Sequence, residues 1–225
     1  MATYSSSHKI VFYHIPKCSG LYIESLLLNL SDFVTYNFNY ESDISFYCDR
    51  DKGLRQEFYN NSDCFLILRD DIYKCFEFSF VRNPYTRFIS AWAYCVGSNF
   101  ENDNIIFGSN NIDTLQNCID NRDLITSQSY FHIFKTQYMN IKGSRKLNFV
   151  GRFENLISDL RFVFNKLNLP TNFSTKKINE NPIKYGDYRQ YYTQEILEFV
   201  NDWFKEDFEE FNYSQVQRVG DLPKK

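Results

Sequence analysis

The stretch from Lys9 to Tyr22, Lys-Ile-Val-Phe-Tyr-His-Ile-Pro-Lys-Cys-Ser-Gly-Leu-Tyr, constrains what this chain can fold into more than any other. Ile10, Val11, Phe12 and Tyr13 are β-branched or aromatic and predict a buried strand. Pro16, Ser19 and Gly20 end that strand and leave backbone N–H groups to face an anion, with Lys17 at the tip of the loop. From Glu24 to Leu30 the pattern is helical, with Leu26, Leu27 and Leu30 on one side. A strand, a tight loop and a helix start bring several amides and a positive dipole end to one point, where Lys17 adds a full charge. The same residues also fit a buried strand followed by a chance Pro-Lys turn. No GxxxxGK[ST] is present, so the Walker pattern is not met.

Strand, turn and helix recur downstream. Phe76 to Arg82 alternates as a strand, Asn83-Pro84 breaks it, and Tyr85 to Val96 has helical spacing in Phe88, Ile89, Trp92 and Val96. In a third unit Leu147 to Val150 reads as a strand, Gly151-Arg152 as its turn and Phe153 to Leu167 as a helix. Thr193 to Phe211 predicts a last amphipathic helix, and the tail from Gly220 is expected to fray. Residues 33 to 71 and 97 to 112 read as loops, the first able to cover a site, with a helix near Leu115 to Ile119; Leu169 to Asp187 reads as a long irregular segment. Repeated βα units argue for an α/β fold in which a parallel sheet lies between helix layers and a ligand sits at the C-terminal ends of the strands.

With 225 residues and no Pro/Gly/Ser-rich linker, residues 1–225 read as a single domain. A net charge of −3 argues against a nucleic-acid partner. The charge is uneven: His132 to Arg189 holds eleven Lys/Arg against four Asp/Glu, whereas Glu195 to Glu210 holds seven acids and one lysine. One face could therefore attract anions, although solvated charge runs are common. The six cysteines show neither CxxC nor Cys/His metal spacing, and no signal-like or membrane-spanning segment is evident, so a reducing, cytoplasmic setting is expected.

If the turns after the first and second of these strands lie side by side, Lys17 and Arg82 would stand at the two ends of one anionic ligand. Ser90, on the helix that follows Arg82, would face the same crevice. A guanidinium offers phosphate a bidentate fork and an ammonium a mobile point charge, so the pair suits two separate anionic groups. An ion pair at a helix start would equally explain Arg82, and helix-to-sheet packing would explain Ser90.

His14-Ile15-Pro16-Lys17-Cys18-Ser19-Gly20 resembles the 5′-phosphosulfate loop of the carbohydrate and Golgi-type sulfotransferases, usually His-Ile-Pro-Lys-Thr-Gly-Gly-Thr. Phe78 to Trp92, Phe-Ser-Phe-Val-Arg-Asn-Pro-Tyr-Thr-Arg-Phe-Ile-Ser-Ala-Trp, is similar to their 3′-phosphate motif. Phe149 to Leu156, and Tyr192-Thr193 with Asp207 and Phe211-Asn212-Tyr213, continue the likeness in the family's order. The resemblance implies a P-loop-NTPase-like three-layer sandwich with a central parallel sheet. It further implies the donor 3′-phosphoadenosine-5′-phosphosulfate without a metal, and an acceptor hydroxyl on a carbohydrate. By position, Lys17 would hold the bridging and 5′-phosphate oxygens, the amides of Cys18, Ser19, Gly20, Leu21 and Tyr22 would surround that phosphate, and Arg82 and Ser90 would hold the 3′-phosphate.

The loop departs from the family at Cys18, Ser19 and Leu21, which replace a threonine, a glycine and a hydroxyl residue. At least one side-chain bond to phosphate is then missing unless Ser19 or Tyr22 supplies it. The family commonly uses a histidine or glutamate as base, and this chain has no histidine between His14 and His132. His132 is the first candidate, because imidazole titrates near neutrality and Gln137 follows it much as in a His/Gln segment of the family. It could equally be a histidine bonded within its aromatic surroundings, and Glu57, Asp70 and Glu77 stay open. Three activities compete: sulfotransferase, nucleotide kinase or NTPase, and a degenerate nucleotide-binding module without turnover. Cys18 stands where a kinase needs a hydroxyl for magnesium, which counts against the second.

Overall fold

β1 (Ala2–Ser5), β2 (Ile10–Tyr13), β3 (Val34–Tyr36), β4 (Phe76–Val81) and β5 (Phe149–Arg152) form one sheet in the order β3-β1-β2-β4-β5. They belong to a computed structural model that describes residues 2–30, 32–36, 74–97, 115–116, 119–120, 131–141, 147–173 and 186–224. Most of the two loop regions expected at 33 to 71 and 97 to 112, part of the irregular segment, and the middle of the helix expected near Leu115 lie outside the described residues.

β2, β4 and β5 run parallel, with Phe12 opposite Phe78 and Phe78 opposite Phe149, so the three strands end on the same side of the sheet. β1 is antiparallel to both neighbours. The reason is the connection: only a four-residue turn separates Ser5 from Ile10, with Lys9 left-handed at φ 57°, whereas a parallel return needs a crossover of roughly a dozen residues or more. The architecture is thus the expected α/β, P-loop-like one, with β2, β4 and β5 parallel from the middle of the sheet to one edge and the antiparallel β1 and β3 at the other.

The chain divides into two compact units, Met1–Val81 with Met139–Ile178, and Arg82–Tyr138 with Asn179–Lys225. In the first, α1 (Gly20–Leu28) and α5 (Leu156–Lys166) pack on the sheet. Ile10, Phe12, Phe78 and Phe80 meet Ile23, Leu27, Leu160 and Val163 in one core. The third strand sits two residues later than its sequence pattern suggests and takes in Gly151-Arg152, the expected turn. Gly151 is there for close packing, because a Cβ at that position would lie 2.4 Å from the Phe80 ring.

The second unit is helical. α2 (Pro84–Gly97) starts where Asn83 Oδ1 accepts the Tyr85 N–H at 3.0 Å and Pro84 takes the first position, where a missing N–H leaves nothing unsatisfied. α3 (Phe131–Phe134) is short, as is α4 (Gln137–Ile141), whose last three residues belong to the first unit. The single helix expected over Thr193 to Phe211 is two, α6 (Gln194–Trp203) and α7 (Lys205–Glu210), broken at Phe204. The tail does not fray: Leu222 is buried, and the Tyr188 hydroxyl donates to the Pro223 carbonyl at 2.6 Å. Burial pushes that phenol up to about 12, so it stays a neutral donor.

Candidate functional site

β2 hands the chain to α1 through six residues, His14 to Ser19, and the loop is built on two left-handed positions, Lys17 (φ 67°) and Ser19 (φ 65°). Non-glycine residues enter this region at a cost of about 1–2 kcal/mol each. Such strain persists only where the surroundings impose it. Ile15 and Cys18 anchor the loop from within, both 1% exposed, and the Cys18 N–H reaches the Ile15 carbonyl at 3.4 Å. The helix begins at Gly20, four residues before its apolar pattern is evident, and the N–H groups of Tyr22 and Ile23 turn back onto the Ser19 carbonyl.

Of the five amides expected around a phosphate, those of Cys18 and Tyr22 are therefore engaged inside the chain. Those of Ser19, Gly20 and Leu21 make no hydrogen bond among the described residues, as the N-terminal donors of an α-helix must unless something external meets them. Ser19 also makes no side-chain cap bond, so its hydroxyl is not spent on the helix. Cys18 points inward, its thiol 3.7 Å from the Pro16 carbonyl, and the Tyr22 ring lies in the sheet core, where desolvation raises its phenol pKa against the opposing charge of Arg161. Of Ser19 and Tyr22, the two candidates for a side-chain bond to the anion, Ser19 is the one left on the loop.

Behind the loop sits a buried polar pair. His14 Nδ1 lies 3.1 Å from Glu24 Oε1, with side chains 10% and 6% exposed, at an angle that makes no hydrogen bond. Thr3 from β1 donates to the same carboxylate oxygen at 3.5 Å. The His14 ring rests on Gly20 so closely that a Cβ there would come within 1.9 Å of its Cδ2. Gly20→Ala must therefore push the ring off Glu24. We expect a loss of about 1–3 kcal/mol in thermal unfolding, in the range of an overpacked core, and recovery of most of it in Gly20→Ala/His14→Ala. A Gly20→Ala protein as stable as the original would show that the ring is not confined.

Arg82 follows β4 directly and is 5% exposed. Its Nε donates to Thr86 Oγ1 at 2.9 Å, and Thr86 is tied in turn to the Asn83 carbonyl at 3.1 Å. Thr86 and buried Ser90 are four residues apart on α2, hence on one stripe of the helix, and Arg82 lies along that stripe. One side chain holds the Arg82 main chain at both ends: Gln137 Oε1 accepts its N–H at 2.7 Å, and Gln137 Nε2 donates to its carbonyl at 2.8 Å. Arg87, by contrast, is a buried packing cation, with Nη2 on the Ile133 carbonyl at 3.0 Å and the guanidinium 5.9 Å from the centre of the Phe204 ring.

The model of the Sulfotransferase family matches residues 1–214. The chain belongs to the sulfotransferase family. No curated protein and no solved structure matches it significantly.

In this sulfotransferase-family chain the candidate bases are unevenly placed. His132 lies on α3, and its side chain is outside the described residues, as are Glu57 and Asp70. Glu77 is the second residue of β4, about 13 Å from the strand's C-terminal end at ~3.3 Å per residue. It is buried and accepts the Tyr13 hydroxyl at 2.7 Å, so it serves the sheet. Sequence reasoning assigns Glu24 no place in the site, and brings in Gln137 only as the companion of His132. An acid in the buried stripe between Gly20 and Leu27 is a local signal for the first, whereas the partners of the second are 55 and 70 residues away.

Proposed function

We propose that this chain transfers a sulfuryl group from 3′-phosphoadenosine-5′-phosphosulfate to an acceptor hydroxyl on a carbohydrate, as a single functional domain and in a cytoplasmic setting. The observation that carries this reading is the loop after β2: a lysine at a left-handed tip, followed at a helix start by the amides of Ser19, Gly20 and Leu21, which make no hydrogen bond among the described residues. Those donors fit a 5′-phosphosulfate, with Lys17 on the bridging oxygen. The stripe of Arg82, Thr86 and Ser90 fits a separate phosphate, the 3′ group.

In the reaction the acceptor oxygen attacks sulfur in line, the bond from sulfur to the bridging oxygen breaks, and adenosine 3′,5′-bisphosphate leaves with the electron pair. Negative charge gathers on the bridging oxygen, so an ammonium held beside it binds the transition state more tightly than the ground state. Lys17 has that task. The hydroxyl proton goes to His132, whose neutral imidazole is the working form. Charge is met by Lys17, Arg82 and the loop amides, and no metal enters the scheme.

The decisive experiment is transfer of labelled sulfate from the donor to a panel of glycans and phenols, beside titration with the bisphosphate and with ATP, each with and without magnesium. Sulfated glycan, with the bisphosphate bound more tightly than ATP at either magnesium level, supports the reading. A second reading rests on one observation, the inward-turned Cys18, which withholds a side chain from the ligand: a nucleotide-binding module without turnover. Tight bisphosphate binding with neither transfer nor donor hydrolysis would establish that one. Magnesium-dependent ATP binding would point instead to the kinase or NTPase alternative.

For the base, we expect His132→Ala to lower turnover by about 10²–10⁴-fold, the usual contribution of general-base help, while leaving bisphosphate affinity within roughly threefold. Wild-type turnover should fall as pH drops through the imidazole's titration, because the protonated ring cannot accept the hydroxyl proton. An unchanged rate in His132→Ala would move the role to a carboxylate.

A further inference from the structure

Arg82 can select a phosphate only as accurately as its main chain is placed, and that main chain leaves a strand and enters a helix within a few residues. Its N–H and carbonyl are bridged by the single carboxamide of Gln137. The same Nε2 reaches Asp207 Oδ2 at 3.2 Å, and the N–H groups of Gln137 and Tyr138 donate to the two oxygens of Asp207 at 2.9 and 2.8 Å. These bonds fix the carboxamide's orientation: the nitrogen must donate to a carbonyl and a carboxylate, and the oxygen must accept an N–H, so the reversed amide would set like against like at each contact. Asp207 has no exposed surface, and burial raises its pKa against the opposing charge of Arg87. A buried carboxylate is costly even when paired. The hydrogen bonds of this one all end on the segment that grips Arg82.

We propose that Gln137 and Asp207 are positioning residues for Arg82, which through its main chain set how strongly the protein prefers a nucleotide bearing a 3′-phosphate over one without it. The inference rests on Arg82 as the 3′-phosphate anchor. Asp207 acts through Gln137: the carboxylate holds the carboxamide, the carboxamide holds the Arg82 peptide groups, and the guanidinium is aimed from there toward Thr86 and the Ser90 stripe. Loosening either support leaves the side chains proposed to meet the nucleotide in place and degrades their alignment. The 5′ end, bound from the Lys17 loop, should feel little of it.

The test is calorimetric titration of wild type, Gln137→Met, Asp207→Asn and the double variant with adenosine 3′,5′-bisphosphate and with 5′-AMP, beside thermal unfolding of each. Methionine keeps the length of glutamine and removes the bridge. We expect the preference for the bisphosphate to fall about tenfold in Gln137→Met, the size of one well-aligned charged hydrogen bond, with 5′-AMP affinity within roughly threefold of wild type. Asp207→Asn should lose less, about threefold to tenfold, and should add nothing in the double variant, since two residues acting in series are not additive. Equal weakening of both ligands, or an intact preference in folded Gln137→Met, overturns the proposal. If Gln137→Met does not fold, the ratio in Asp207→Asn decides, and an unchanged ratio rejects it. A wild type that does not distinguish the two nucleotides removes the Arg82 anchor and this inference with it, whereas a wild type that does, beside an unaffected Gln137→Met, removes the inference alone.

Discussion

Lys17→Ala should lower sulfate transfer by about 10²–10³-fold in kcat, the magnitude seen when one preorganised donor to a developing oxyanion is deleted. Alanine is the informative replacement, because Lys17 is left-handed and alanine carries the same backbone penalty there. Glycine would relax the loop as well as remove the charge, and the two effects would mix. Lys17→Arg separates charge from position. It keeps the cation but puts a planar fork where the proposed role calls for a compact ammonium. Bisphosphate affinity should then survive within roughly tenfold while kcat falls by about 10²-fold or more, the pattern of an interaction made chiefly in the transition state. Retention of full turnover in Lys17→Ala would end its proposed role at the bridging oxygen.

How much of this is visible in the sequence depends on how local the cause is. β2 is legible because a central parallel strand reads as an unbroken apolar and aromatic run, and β4 because Phe76, Phe78 and Phe80 alternate with Glu77 and Ser79. α2 is legible for the same kind of reason: Asn83, Pro84 and the buried spacing of Tyr85, Phe88, Ile89 and Trp92 all lie within three turns. The start of α1 is not legible, since Ser19 sits at the cap without a capping bond and Gly20-Leu21-Tyr22-Ile23 carries no acid and no periodic signal. β1 has the featureless sequence Ala-Thr-Tyr-Ser, and its pairing with β2 and β3 makes it a strand. The Gly151 position looks like a turn because a glycine followed by a charged residue at the end of a short apolar run usually is one; here the cause is a phenylalanine ring seventy-one residues earlier in the chain.

The candidate site divides along the same line. The residue types at Lys17, Arg82 and Ser90, and their order, can be read directly. What holds them cannot be, because Gln137 finds Arg82 and Asp207 only through tertiary structure. Nor does spacing tell Arg82 from Arg87. Both lie near the start of α2 and both are buried, yet one lies along the Ser90 stripe and the other is committed to the Ile133 carbonyl and the Phe204 ring. Cys18 is a similar case: by position it belongs with the ligand-facing residues, and by packing it belongs with Ile15 in the interior.

That contrast makes Arg82→Ala the sharpest binding experiment. If its guanidinium holds the 3′-phosphate, removing it should cost the bisphosphate about 2–4 kcal/mol, roughly 30- to 1,000-fold in Kd, the scale of a bidentate charged hydrogen-bond pair deleted at a buried position. 5′-AMP, which lacks the group, should weaken by less than about threefold. Arg82→Lys should fall between, since an ammonium keeps the charge but cannot reproduce the fork or the fixed Nε–H to Thr86. Arg87→Ala serves as the counterpart: it removes a buried cation from the Ile133 carbonyl and the vicinity of Asp207, so it should lower thermal stability and shift the ratio of the two affinities by no more than Asp207→Asn does. Calorimetry with both nucleotides on the three variants decides between them. Equal losses for bisphosphate and 5′-AMP in Arg82→Ala would place Arg82 beside Arg87 as a packing residue, and the 3′-phosphate would then need another anchor.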